Sequence, residues 1–269
     1  MITTKKIGFI GCGKMAGAII TGIIKSDCLN ADNILASKSN PKNLQEISKK
    51  LGIKITLSNK EVAKFGDIIF ICVKPNQVND VLTEIKNEIS ADKILVSMAA
   101  GVNISQIEKL LPKGTKVIRI MPNTPVLLNE GMTGIAGGSQ VNDEDVEQVV
   151  KIFNYIGKTV VIDENQIDIV TAISGSGPAF FYKVIEDIAR AGEKLGLDYE
   201  KSLLLSIQTA IGSGKMALNR NISMDELISN VATKGGCTRV GVDVMEEKNT
   251  KDIFYEIIKA TTDKARHLG

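Results

Sequence analysis

A chain of 269 residues, 43% hydrophobic and 24% charged, is long enough for one large or two ordinary globular domains with a substantial core. Its net charge of +2, with lysines scattered among acids, excludes a polyanion stripe and a basic membrane-surface face, so neither nucleic acid nor membrane is an expected partner. Cys12, Cys28, Cys72 and Cys237 have no C-x-x-C spacing and the one histidine, His267, stands near the chain's end; this argues for reduced thiols, no metal site and no histidine acid or base.

Met1-Ile2-Thr3-Thr4-Lys5-Lys6 runs directly into an apolar strand, so we expect no signal peptide and a cytoplasmic protein. No uninterrupted apolar run is long enough to span a bilayer. The strand opens the stretch Ile7-Gly8-Phe9-Ile10-Gly11-Cys12-Gly13-Lys14-Met15-Ala16-Gly17, a G-x-G-x-x-A pattern between a strand and a helix. Gly11 allows a sharp turn, Gly13 removes a side chain that would block a pyrophosphate, and Ala16 permits close helix–strand packing. The helix from Met15 aims free N–H groups and its positive dipole end at the phosphates, so Ile10, Gly11, Cys12, Gly13, Lys14 and Met15 form a candidate cofactor cradle.

A second strand, Asn33 to Ser37, arrives where a dinucleotide-binding βαβ unit requires it. It ends not in Asp or Glu but in Ser37-Lys38-Ser39-Asn40, whose hydroxyls and cation suit a 2′-phosphate; NADPH is therefore preferred to NADH, an ordinary solvated lysine being the plain alternative. Asn40-Pro41 opens a helix that Gly52 ends, Ile53 to Leu57 reads as a strand, and Ser58-Asn59 caps a short helix through Phe65. Ile68 to Val73 is a continuous apolar run, as a parallel strand buried on both faces requires. Gln77 to Ile89 has helical spacing and Ile94 to Met98 is again an apolar strand. At the carboxyl ends of these two strands, Cys72-Val73-Lys74-Pro75 and Met98-Ala99-Ala100-Gly101 are expected to flank the nicotinamide half of the cofactor, though both also read as plain loops.

Lys116 to Met121 and Met132 to Ala136 add strands around Pro122-Asn123-Thr124-Pro125, a loop pinned by two prolines. Asp143 to Ile156 reads as a helix and Thr159 to Ile162 as the last strand. Beyond about residue 164 only helical periodicity remains, which divides the chain into an α/β Rossmann-like domain, residues 1–163, and an all-α domain, residues 164–269. Ser174-Gly175-Ser176-Gly177-Pro178 is expected to break the chain sharply before helices over Ala179 to Leu195 and Tyr199 to Arg220. Gly212 and Gly214 inside the second of these suggest close helix contact, within one chain or between two. Finally Asn230-Val231-Ala232-Thr233-Lys234-Gly235-Gly236-Cys237-Thr238-Arg239 sets two glycines before a helix, a receptor for a small anion such as a carboxylate, with the Thr238 hydroxyl beside it. A simple capped helix start has the same pattern.

Taken together, these segments resemble the pyrroline-5-carboxylate reductase family over essentially the whole chain: Gly-Phe-Ile-Gly-x-Gly-x-Met, Val73-Lys74-Pro75, Met121-Pro122-Asn123-Thr124-Pro125, Ser174-Gly175-Ser176-Gly177-Pro178-Ala179 and Gly235-Gly236-Cys237-Thr238. Against the family's Ser-Pro-Gly-Gly-Thr/Ala-Thr loop, Thr233 keeps the hydroxyl, while Lys234 and Cys237 depart from it. The resemblance implies NAD(P)H-dependent reduction of the cyclic imine 1-pyrroline-5-carboxylate to proline, with hydride passing from nicotinamide to the imine carbon. It further implies Gly235, Gly236, Cys237 and Thr238 on the substrate carboxylate, with Thr233 in the same loop, and the Thr238 hydroxyl on the ring nitrogen as the catalytic group. Glu164 is a candidate for contacting the cationic nitrogen, and Asn59 and Asn230 for additional cofactor contacts, with Ser37 and Lys38 in the ribose-phosphate region. The helical domain would dimerise, dimers assembling further into decamers. Two other readings stand beside it: a β-hydroxyacid dehydrogenase or other imine reductase, which shares the half-Rossmann, half-helical plan and for whose inter-domain lysine Lys183 could be misread, though the glycine-glycine-threonine loop argues against it, and a non-catalytic NADP(H)-responsive binding protein.

Overall fold

The structure, a computed structural model, describes residues 5–26, 29–219 and 221–267; Cys28, residues 1–4 of the expected leaderless start, and Arg220 at the expected end of the second long helix lie outside these. Strands and helices alternate as β1 (Ile7–Ile10), α1 (Lys14–Lys25), β2 (Ile34–Ser37), α2 (Pro41–Leu51), β3 (Lys54–Thr56), α3 (Asn59–Phe65) and β4 (Ile68–Ile71). They continue as α4 (Val78–Ile85), β5 (Ile94–Ser97), α5 (Ile104–Glu108), β6 (Lys116–Met121), β7 (Gly131–Gly137), α6 (Asp143–Asn154) and β8 (Gly157–Val161). The eight strands form one sheet in the order β3-β2-β1-β4-β5-β6-β7-β8. Pairing is parallel throughout except between β6 and β7, where the loop at Pro122–Pro125 lets the chain reverse.

Contiguous apolar runs become strands because alternate side chains must enter two separate cores. Ile7, Phe9, Ile68 and Phe70 fill one, with Phe9 and Phe70 stacked 4.8 Å apart and Phe153 of α6 tilted against Phe70 at 6.1 Å. Ile10, Ile69, Ile71 and Leu95 fill the other, beneath α3, α4 and α5. Helix starts follow their polar caps. Ser58 Oγ accepts the Glu61 N–H at 3.3 Å, and Asn103 caps α5, a helix that the periodicity did not indicate because it spans barely more than one turn.

The first compact unit holds the chain up to Ser176 and again from Ala260; the second runs from Gly177 to Lys259. α7 (Ile167–Val170) belongs to the first, where Ile167 packs with Met121 and Ala136. The sharp break expected at residues 174–178 is instead a π-turn, Thr171–Gly175, with the Ser176 N–H on the Thr171 carbonyl at 2.8 Å. α8 (Gly177–Lys194) follows at once, because Pro178 lies in its first turn, where no N–H is needed.

The second unit continues with α9 (Tyr199–Leu218), α10 (Met224–Val231), α11 (Cys237–Glu247) and the start of α12 (Thr250–Ala265). α8 and α9 form a hairpin in which Arg190 lies 4.1 Å over the Tyr199 ring and Tyr199 donates to Glu186 at 2.7 Å. Among the described residues, a Cβ on Gly212 or Gly214 would meet nothing within 4 Å, so close packing within them is not what these glycines serve.

Candidate functional site: a dinucleotide cradle and a glycine loop

At the carboxyl end of β1, Gly11 turns the chain at φ +89°, where a Cβ would lie 2.6 Å from Val73 Cγ1 and 3.0 Å from the Cys72 carbonyl. The Ser37 carbonyl accepts the N–H groups of Gly11 (3.1 Å) and Cys12 (2.8 Å), and the Gly13 N–H closes on the Gly11 carbonyl at 2.7 Å. The loop's own amides thus hold it to β2 and to itself. The donors left for a phosphate are the first-turn N–H groups of Lys14, Met15 and Ala16, since the first bond of α1 runs from Gly17 N–H to the Gly13 carbonyl. Ile10 and Cys12, expected as cofactor contacts, are fully buried and shape the loop from within. Burial pushes the Cys12 thiol up to about 11, against the pull of the nearby Lys38 charge, and pushes the Cys72 thiol well above its usual range.

Gly13 caps α1 without a side chain, and a Cβ there would meet only the Gly11 carbonyl oxygen, at 3.9 Å. The protein itself does not require glycine at this position; the space before the helix does. A nicotinamide dinucleotide fits such a cradle, because its pyrophosphate needs a close backbone approach at the helix N-terminus. An open cavity of about 310 Å³ lies here, lined by Gly11, Gly13, Lys38, Asn59, Cys72, Val73 and Lys74. Gln77, which sequence reading did not single out, also lines it and accepts the Lys74 N–H at 3.3 Å in the turn begun by Pro75.

One expectation about this region changes. Ser37 is fully buried and its hydroxyl donates to Asn59 Oδ1 at 2.7 Å, so it orients Asn59 and does not offer a hydroxyl to a ribose. The Asn59 amide donates in turn to Glu84 at 2.8 Å. Met98, Ala99 and Ala100, expected at the nicotinamide half, lie beyond this cavity at the carboxyl end of β5, where Met98 packs on the first core, Ala99 is buried in the second and Ala100 packs beside Met121. Glu164 also differs from expectation. Its Oε1 accepts the Ile104 N–H at 2.6 Å and pairs with Arg119 Nη1 at 3.3 Å, so its charge is engaged within the first unit. Arg119 was missed, although a charged residue inside the apolar strand Lys116–Met121 is the kind of signal that marks a buried partner.

In the second unit, the Gly236 N–H donates to the Thr233 carbonyl at 3.0 Å and Gly235 has φ +81°. Lys234 is not among the non-glycine residues of positive φ, so Thr233-Lys234-Gly235-Gly236 is a type II turn, which needs glycine at its third place. The turn uses the Gly236 amide, leaving Cys237 and Thr238, the first residues of α11, with N–H groups that have no intrahelical acceptor. Arg239 is held by Asp243 at 2.5 Å and Glu246 at 2.9 Å. Thr238 is exposed and lines a groove of about 590 Å³ that is otherwise mostly apolar, with Met216, Ile228, Val231 and Val242. Asn230 is exposed near the end of α10, and Lys183 is exposed on α8 in an ion pair with Asp187 one turn on.

A family model described as pyrroline-5-carboxylate reductase dimerisation matches residues 164–268, and one described as NADP oxidoreductase coenzyme F420-dependent matches residues 6–101. The pyrroline-5-carboxylate reductase of Methanosarcina acetivorans is 37% identical over 265 residues, covering 98% of each chain. Among solved structures, that of the Coxiella burnetii pyrroline-5-carboxylate reductase aligns with a TM-score of 0.94 at 31% identity over 99% of each chain. The Plasmodium falciparum pyrroline carboxylate reductase, solved with NADP bound, aligns at 0.87 and 33% identity over 100% of each chain. With its cradle, its glycine loop and full-length similarity at this level, the chain belongs to the pyrroline-5-carboxylate reductase family.

Proposed function

We propose that the protein reduces 1-pyrroline-5-carboxylate to L-proline, the last step of proline biosynthesis, using NADPH in preference to NADH. The observation that carries this reading is the combination, in one member of the family, of a cradle kept clear at Gly13 with a half-buried Lys38 on its wall, and the open first turn of α11 beside the Thr238 hydroxyl.

In this reading the Lys14 and Met15 amides hold the pyrophosphate, Lys38 holds the 2′-phosphate, and Asn59, Val73, Lys74, Pro75 and Asn230 complete the cofactor contacts. When bound, the reduced nicotinamide supplies a hydride for the imine carbon. The amides of Cys237 and Thr238 at the head of α11 bind the substrate carboxylate, while the type II turn at Thr233–Gly236 holds them in place. The Thr238 hydroxyl hydrogen-bonds the ring nitrogen and orients it, favouring the iminium, which accepts hydride far better than the neutral imine. No strong protein acid is required, since such imines protonate in water near neutrality.

The helical domain, taken from residue 164, is proposed to pair with a second copy that completes the site, and dimers to assemble into decamers in the cytoplasm. Supporting this are Phe181, Leu204, Leu205 and Met216, each at least 59% exposed, and the open faces of Gly212 and Gly214. No helix among the described residues is long and apolar enough to cross a membrane.

The test is the loss of NADPH absorbance with purified protein and pyrroline-5-carboxylate, with NADH and a 3-hydroxyacid/NADP⁺ pair run in parallel. Rapid imine-dependent oxidation yielding proline is expected. NADPH binding without imine turnover would overturn the assignment, and faster turnover of the hydroxyacid would replace it with a dehydrogenase.

A further inference from the structure

Arg119 is a guanidinium inside a sheet. It sits on β6 in register with Ser97 of β5 and Ala136 of β7 and is 4% exposed. Its Nη1 donates to Glu164 Oε1 at 3.3 Å, while Nε and Nη2 are buried with no hydrogen-bond partner among the described residues. The same Glu164 oxygen accepts the Ile104 N–H at 2.6 Å, the first-turn amide of α5. A guanidinium buried in this way and paired with a half-buried carboxylate is seldom the most stable choice for a sheet, since apolar residues of similar volume serve folding as well or better. Its presence therefore calls for something that it holds.

What it holds is one short segment. Between Ser97, paired in register with Arg119, and Ile104, bonded to Glu164, the chain runs Met98-Ala99-Ala100-Gly101-Val102-Asn103. Gly101 turns it at φ +74°, and the Ala99 N–H lies 3.4 Å from Ser97 Oγ. In a sheet of order β3-β2-β1-β4-β5, the crevice outside the strands' carboxyl ends receives the dinucleotide, with the half beyond the pyrophosphate over β4 and β5. The segment after Ser97 is that edge at β5.

We infer that Glu164 and Arg119 are positioning residues that set the Ala99-Ala100-Gly101 turn against the nicotinamide half of the cofactor, an inference that rests on the cofactor reading above. Glu164 does this from a site 60 residues away in the chain by fixing the start of α5, and Arg119 does it by anchoring Glu164. Neither residue needs to touch substrate.

The experiment compares two ligands by calorimetric titration, NADPH and adenosine 2′,5′-bisphosphate, which carries the adenosine half with its 2′-phosphate and no nicotinamide. Glu164→Ala removes both bonds. Glu164→Gln retains an acceptor for the Ile104 N–H and removes the charge paired with Arg119, and it guards against loss of folding in Arg119→Met. For Glu164→Ala we expect NADPH affinity to fall about tenfold and kcat by about ten- to a hundredfold, as for a misplaced positioning element. Bisphosphate affinity should be unchanged, and Glu164→Gln should lie between the parent and Glu164→Ala. Equal weakening of both ligands would show a general structural role and overturn the inference, as would unchanged NADPH affinity and kcat. Failure of the unsubstituted protein to bind NADPH at all would overturn the cofactor reading together with it.

Discussion

Gly11 and Gly13 belong to one motif, yet they answer to different constraints, and a pair of alanine substitutions separates them. At Gly13 the backbone is extended, φ −88°, and a Cβ meets nothing nearer than 3.9 Å. Gly13→Ala loses a glycine N-cap, costing about 0.5–1 kcal/mol. Stiffening of the unfolded chain returns about 0.4–1 kcal/mol, so the net effect on folding is close to zero. At Gly11 the same methyl group enters a left-handed conformation, φ +89°, and lies 2.6 Å from Val73 Cγ1 and 3.0 Å from the Cys72 carbonyl carbon and oxygen. The two penalties together come to about 2–5 kcal/mol. At about 2–4 °C per kcal/mol for domains of this size, Gly11→Ala should lower Tm by roughly 4–20 °C while Gly13→Ala shifts it by no more than about 3 °C. Gly13→Ala should nonetheless weaken NADPH at least about tenfold, or 1.4 kcal/mol, because its methyl group occupies the space a pyrophosphate needs. Thermal scans with a fluorescence titration of NADPH measure both quantities. A Gly13→Ala protein that binds NADPH like the parent, or that unfolds as readily as Gly11→Ala, would refute the assignment of this loop as a phosphate cradle.

Lys38→Asp should raise KM for NADPH more than for NADH in steady-state kinetics; equal changes would remove Lys38 from recognition of the 2′-phosphate. Thr238→Ala should lower kcat/KM by about ten- to a thousandfold, the range for loss of one aligned hydrogen bond to a developing charge, and an unaltered value would exclude its hydroxyl from the reaction. Lys234→Pro places proline at the second position of the type II turn, where its φ is already suitable, and should raise stability in urea by about 0.4–1 kcal/mol; a loss would show that the turn needs the Lys234 amide. In the native protein iodoacetamide should label the exposed Cys237 well before the half-buried Cys72 and the buried Cys12, as peptide mass mapping would reveal. Because burial holds the folded Cys12 thiol at about 11 against an ordinary 9.0, the unfolded chain loses that proton first. Stability should therefore fall as pH rises through the interval from 9.0 towards about 11 and be indifferent to this group below it.

Much of the molecule was legible in the chain because its information is local. Parallel strands buried on both faces must be continuous apolar runs, so β1, β4 and β5 stand out as Ile7–Ile10, Ile68–Ile71 and Ile94–Ser97. Gly11 and Gly13 mark the cradle because no other residue suits the one's dihedral angles or leaves the other's space. Gly235 and Gly236 mark the second loop for similar reasons. Where the signal was a composition, the conformation escaped: the small polar run at 174–178 suggested a break, and the structure continues it as a π-turn into α8.

Side-chain roles were decided elsewhere. Ser37, Glu164 and Arg119 owe theirs to partners brought together from 22, 60 and 45 residues away by the sheet order, and no periodicity carries that information. Ser37 turns inward to Asn59, and Glu164 is drawn from a substrate to an ion pair, only because the folded chain places those partners within reach. The amino-acid sequence alone therefore determined the strands, the glycine turns and the two helix N-termini that can receive anions, since each depends on residues close in the chain. The tertiary structure alone decided which polar side chains remain available to a ligand, because a hydrogen bond made inside the protein removes a group from service, and topology chooses the partner.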